Sequence, residues 1–185
     1  MAEANSTSRF RARLLRPANA EDPRVPAFVV LPAAASAKLP RRGRTTVVGT
    51  INGQPLQVRL EPDGQLGHWL PMSAALLEAT GAKVGATASF QLRPADREPE
   101  PELPADLARA LSAAAEARAV WDATTTLARV DWIHWIESAR KPQTRDKRIR
   151  DACEMLARGK KRVCCFDPSG HYSKAFAAPL PDDGT

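Results

Sequence analysis

The side chains with the widest chemical reach near neutral pH are three histidines, His68, His134 and His171, and three cysteines, Cys153, Cys164 and Cys165. Nucleophilic or acid–base catalysis would need one of them to converge with a base and an orienting group. Metal binding would need ligand spacing such as C-x-x-C or a Cys/His cluster. Neither pattern is present. His68 falls in an expected strand, His134 flanks an apolar helical face between Ile133 and Trp135, and His171 lies in the C-terminal tail. Cys153 shares a helical stripe with Ile149 and Leu156 and reads as a small core residue. Cys164 and Cys165 are adjacent, and three cysteines so placed make a poor disulfide framework, which points to a reducing, cytoplasmic home. No catalytic residue, cofactor or metal site is expected, and the chain is not expected to be an enzyme.

Binding chemistry is better represented. Arg145 and Arg148 are three residues apart, hence on one helix face, with Lys141 and Thr144 beside them. Guanidinium groups grip carboxylates or phosphates bidentately. Near the expected strands, Thr50, Asn52, His68 and Trp69 offer hydroxyl, amide, imidazole and indole groups at what could be a barrel mouth. Each has a plainer reading beside the functional one. Asn52 is also a turn residue, and the two arginines could pair internally with Asp131 or Glu137.

These residues are carried by two dissimilar halves, joined by a Pro/Glu seam at 94–104. Before the seam, apolar and polar residues alternate with period two. Strands are expected at 9–14, 27–31, 44–51, 56–60, 66–70 and 86–92. Arg9, Arg11 and Arg13 face away from Phe10, Ala12 and Leu14. Asn52-Gly53 accepts positive φ at both central positions of a turn and is the sharpest hairpin signal in the chain. Short helical turns are expected near 33–38 and after Ser73, the latter stopped by Gly81. Six short strands without crossover helices describe a small antiparallel barrel.

After the seam the period changes to about 3.6. Pro104 opens a first helix with Leu107 and Leu111, and a second follows around 115–122. Thr124, Thr125 and Thr126 can cap a third, on which Trp132, Trp135, Ile136 and Ala139 fall at i, i+3, i+4 and i+7. Those tryptophans read as bundle core. Pro142 starts a last helix, about 142–158, closed by Gly159. The fold class is therefore α+β. A small β-barrel spans 8–95, a Pro/Glu linker 96–103, a bundle of three to four helices 104–162, and a disordered tail 163–185.

The formal charge of +6 is unevenly spread. Residues 1–97 carry 13 basic and 7 acidic side chains, and residues 98–185 carry 14 of each. Within the second half, 98–139 hold 3 basic against 8 acidic, and 140–162 hold 10 against 3. The basic helix either satisfies acidic residues of its own bundle or meets an acidic partner. No stretch approaches the roughly 20 apolar residues of a membrane span. Residues 1–8 lack the basic-then-apolar pattern of a secretory leader.

With these pieces in place, the helical half resembles the YdeI/OmpD-associated family, also labelled bacteriocin-protection proteins. The resemblance is carried by Leu103, Pro104, Asp106, Leu107 and Leu111, and above all by Trp132, Ile133, Trp135, Ile136, Ala139, Lys141, Pro142, Thr144, Arg145, Arg148 and Ile149. The first half is similar to the small barrel domain often fused ahead of it, through Leu31-Pro32, residues 49–53, and Gly81 with Gly85. Here Ala86 follows Gly85 where that barrel usually carries an acidic residue. The resemblance implies a bacterial cytoplasmic protein linked to envelope stress and antimicrobial-peptide tolerance, and implies no defined chemistry.

The reading that follows is a non-enzymatic binding protein that uses barrel and basic helix to hold a small-molecule ligand or a protein partner. The alternative is a nucleic-acid-binding protein that tracks phosphates with residues 140–162 and the Arg-lined strand 9–13. The ligand and the oligomeric state are left open.

Overall fold

A computed structural model of the chain describes residues 6–19 and 22–184. Of the segment read for a secretory leader, residues 1–5 lie outside the described residues, as does Thr185 of the tail. The chain divides into two compact units, one of residues 1–97 with 169–185, the other of residues 98–168.

The first unit is a six-stranded sheet in which every pair is antiparallel. Its elements are β1 (Ser8–Arg13), β2 (Ala27–Val30), α1 (Ala33–Ala37), β3 (Thr45–Ile51), β4 (Gln54–Pro62), β5 (His68–Met72), α2 (Ala74–Thr80) and β6 (Thr87–Pro94). Spatial order is β1-β6-β3-β4-β5-β2. The two ends of the sheet meet, because Leu15 and Phe28 exchange backbone hydrogen bonds of 2.8 and 2.9 Å. The sheet is thus curled into the expected barrel, which leaves few unpaired strand edges. Alternation decides what fills it. Leu14, Val29, Val47, Leu60, Leu70, Met72 and Phe90 are buried in one apolar cluster, and Phe10 stacks on Phe90 with ring centroids 5.0 Å apart.

Two local features hold the register. A Cβ on Gly49 would lie 1.8 Å from the Gln91 carbonyl oxygen, so β3 and β6 approach too closely there for any side chain. In the β3–β4 turn Asn52 and Gly53 both take positive φ, 49° and 81°. The fifth strand starts at His68 rather than at residue 66. Asp63 Oδ1 accepts from the amides of Gln65 and Gly67 at 2.7 and 2.8 Å, which prolongs the turn and puts Leu66 at φ 65°.

Residues 169–184 do not trail away as the sequence had suggested. Pro181 bridges to Pro17, the Ala18 amide donates to the Leu180 carbonyl at 2.8 Å, and the Asp182 amide donates to the Arg16 carbonyl at 2.7 Å. Further back, His171 Nδ1 lies 3.1 Å from the Gly64 carbonyl, and the Phe176 backbone packs on Gly64. The physical reason is backbone satisfaction. The segment has little periodicity of its own, but it supplies partners to polar groups of residues 16–18 that no strand reaches.

The second unit contains α3 (Ala105–Ser112), α4 (Ala115–Asp122), α5 (Thr126–Glu137) and α6 (Pro142–Ala157). Thr125 caps α5 by accepting from the Ala128 amide at 3.2 Å, and Pro142 occupies the first turn of α6. Leu107, Leu111, Trp121, Trp132, Ile136, Ile149 and Leu156 form the core. Trp132 and Ile136 lie on the expected stripe, while Trp135 and Ala139 are only half-buried. The helix also buries Val130, Ile133 and His134, so α5 is covered on more than one side. Of the Pro/Glu seam, Glu100 is tied to α5, taking Arg129 Nε and Nη2 at 2.5 and 2.9 Å and the Thr126 hydroxyl at 3.0 Å.

Candidate functional site

The arginine face of α6 is turned into its own bundle. Arg145 donates from Nε and Nη2 to the two oxygens of Asp106, at 2.6 and 3.0 Å. That fork lowers the Asp106 carboxyl below the usual carboxylate range and raises Arg145. Arg148 donates to the Trp135 carbonyl and, at 2.7 Å, to the Ser138 hydroxyl, both at the C-terminal end of α5. Its guanidinium carbon also lies 5.3 Å from the centre of the Trp135 ring. A cation so placed offsets the negative end of the helix and satisfies a carbonyl the helix leaves open. The carboxylate gripped by Arg145 is Asp106, with Glu137 adding a weaker electrostatic attraction. Of the remaining candidates on this helix, Lys141 is its exposed N-cap and Thr144 is half-buried on the first turn.

The four barrel candidates do not converge. Thr50 is half-buried on β3 opposite Pro55, whereas Trp69 on β5 lies opposite Glu61. Their partners on β4 are therefore six residue steps apart, about 20 Å along the strand. Asn52 is tied into the fold: its backbone N–H donates to the Ser89 carbonyl at 2.8 Å, and its side-chain Oδ1 accepts from the Ser89 backbone N–H at 3.0 Å. His68 is fully buried. Its Nε2 faces the Gly43 carbonyl at 3.1 Å, which assigns the proton to that nitrogen, and its amide donates to Ser36 Oγ at 3.1 Å. Nδ1 has no hydrogen-bond partner among the described residues. Burial holds this imidazole below its ordinary pKa, in the neutral form.

Trp69 is the candidate that faces an opening. An open pocket of ≈ 330 Å³ is lined by Trp69 with Pro17, Asn19, Asp22 and Val25 from the segment after β1, and with Ala177, Pro179 and Leu180 from the returning C-terminal segment. The indole is fixed from behind by Phe28, edge to face at 6.2 Å. Asp22 is clasped by Arg24 at 2.8 Å through both oxygens, which keeps its carboxyl ionised below the usual range. The lining is a tryptophan, two prolines and aliphatic side chains together with Asn19 and Asp22. Sequence reasoning had singled out Trp69 alone. The prolines at 17, 179 and 181 were the available signal, since proline-rich stretches pack as extended surface segments.

Among the described residues, no group of three or more His, Cys, Asp or Glu side chains could hold a metal ion. No helix of the described residues is long and apolar enough to cross a membrane.

Residues 100–159 match the family described as Bacteriocin-protection, YdeI or OmpD-Associated. Residues 10–92 match the family described as Domain of unknown function (DUF1905). No curated protein matches the chain. Asp106, Trp135, Arg145 and Arg148, which carried the resemblance seen in the sequence, form two bonded pairs across the bundle, Arg145 with Asp106 and Arg148 with Trp135.

Proposed function

We propose, for a chain whose residues 100–159 match the bacteriocin-protection, YdeI or OmpD-associated family, that it is a non-enzymatic bacterial cytoplasmic binding protein contributing to bacteriocin tolerance. Its binding surface is the pocket beside Trp69 on the outside of the barrel. The supporting observation is that pocket, ≈ 330 Å³ and walled by Trp69, Val25, Leu180 and two prolines. The barrel lumen is filled by its own apolar side chains, so a ligand is better served from outside. An indole held in place by Phe28 presents a rigid flat surface, which suits a short peptide or a compact apolar molecule. The arginines of α6 serve the bundle in this reading.

A test uses a strain lacking the gene, complemented with wild type, Trp69→Ala or Leu180→Asp, and challenged with a bacteriocin. Leu180 is 77% exposed, so a charge there leaves folding intact while spoiling the apolar wall. Survival is expected with wild type and lost with both variants. Full protection by Leu180→Asp would sink the pocket, and recovery of the protein in the periplasmic fraction would sink the cytoplasmic placement.

The nucleic-acid reading retains one specific support. Arg158, Lys160, Lys161 and Arg162 are exposed after α6, as are Arg9 and Arg11 on β1. Against it, Arg145 and Arg148 are engaged inside the bundle, and Lys147 pairs with Asp151 at 2.6 Å. Five phosphate contacts on a duplex predict a log–log salt slope of about −4.5. A titration flat in salt disposes of this reading.

A further inference from the structure

Cys164 and Cys165 stand on an exposed turn of the second unit with their sulfur atoms 3.2 Å apart. The segment is anchored on both sides. Ahead of it the Trp132 indole donates to the Lys161 carbonyl at 3.2 Å, and behind it the Phe166 ring meets His134 edge-on at 5.3 Å. Lys160, Lys161 and Arg162 precede the pair and are exposed. The Cys164 sulfur at hydrogen-bond distance holds the Cys165 thiol above its ordinary range, with Lys160 pulling the other way, and attack proceeds through the thiolate fraction. The three cations draw an anionic co-reactant to the turn.

We propose that Cys164 and Cys165 are a reversible two-electron modification site that exchanges with an anionic low-molecular-weight disulfide. One cysteine thiolate attacks a sulfur of the incoming disulfide, so that a mixed disulfide forms and one small thiolate leaves. The neighbouring thiol, losing its proton, then attacks the protein sulfur of that mixed disulfide and expels the second small thiolate. The two cysteines end joined by one S–S bond, oxidised by two electrons. The small disulfide ends as two thiols, which take up the two protons. Ring closure is reversible for a geometric reason. Neighbouring Cα atoms are about 3.8 Å apart, inside the roughly 4.4 Å lower bound of ordinary disulfides. The bond forms under strain and is returned readily by a cellular dithiol. Cys153 provides an internal contrast, half-buried on α6 with no cysteine next to it in the chain. The inference is independent of the Trp69 pocket.

The experiment treats the full chain with glutathione disulfide, blocks remaining thiols by alkylation and weighs the tryptic peptide 163–174. Wild type is expected to give that peptide lighter by two hydrogens and unalkylated, restored by dithiothreitol, with Cys153 alkylated throughout. Cys164→Ser and Cys165→Ser are each expected to stop at a glutathione adduct on the remaining cysteine. Both positions are exposed, so neither substitution threatens folding. Two free thiols in wild type, stable glutathione adducts on both, or a disulfide joining two chains would each overturn the proposal.

Discussion

Arg145 holds both oxygens of Asp106 in a fork, and by doing so ties the first turn of α6 to the first turn of α3, 39 residues earlier. The pair is about 30% exposed on each side, 28% and 31%, so solvent screens part of its strength. Arg145→Ala is expected to destabilise the helical unit by about 1–2 kcal/mol, after discounting a charged hydrogen-bonded pair for exposure. Arg145→Lys recovers little, because an ammonium cannot reproduce two parallel donors. Thermal melts of the three proteins check this; equal melting temperatures would return Arg145 to a recognition role.

The same pair sets a pH dependence. Asp106 titrates lower in the folded chain than in the unfolded one, because Arg145 favours its charged form. Its contribution is present above the unfolded carboxylate pKa, about 3.9, and is lost as pH falls through the lower folded value. Asp106→Asn is expected to be less stable than wild type at neutral pH and to lose less on acidification below about pH 4. Denaturant titrations at a series of acid pH values measure the difference in slope.

His68 acts at milder acidity. Its folded pKa is depressed by burial, so the unfolded chain takes up the proton first. Stability should therefore be complete above about pH 6.5 and fall as the solution is acidified through the histidine range. His68→Leu removes that slope, and about 1–3 kcal/mol of stability with it, since the Gly43 carbonyl loses its donor. An unchanged slope between pH 7 and 5 in the variant would mean that another group titrates.

Gly49→Ala tests the close approach of β3 and β6. The added carbon meets a backbone oxygen at 1.8 Å, and backbone cannot rotate away as a side chain can. Destabilisation of about 3 kcal/mol or more is expected, at the large end of single substitutions. Circular dichroism melts resolve it easily; a near-neutral result would show that the two strands can separate at little cost.

Much of this architecture was legible because it is written in local periodicity. The alternation of residues 86–92 marked a strand, and the Asn52-Gly53 turn joins two strands that pair as a hairpin. The threonine caps and Pro142 likewise marked helix starts. What was not legible was the choice between partners of equal chemistry. Asp131, Glu137 and Asp106 are all carboxylates within reach of a helix bearing Arg145, and only the packing of α3 against α6 selects Asp106. The Trp69 pocket escaped for a related reason. Its far wall comes from residues 177–180, whose contacts with 16–18 are two isolated backbone bonds without any pattern that a sequence displays.

Because residues 169–184 return to the barrel, the helical unit is spelled out within the barrel's own stretch of the chain. During synthesis all six strands leave the ribosome first, and the four helices next. The piece that seats on Gly64 and pairs with residues 16–18 arrives last of the three. The nascent barrel must therefore wait with its Trp69 side unfinished while an entire second core is made.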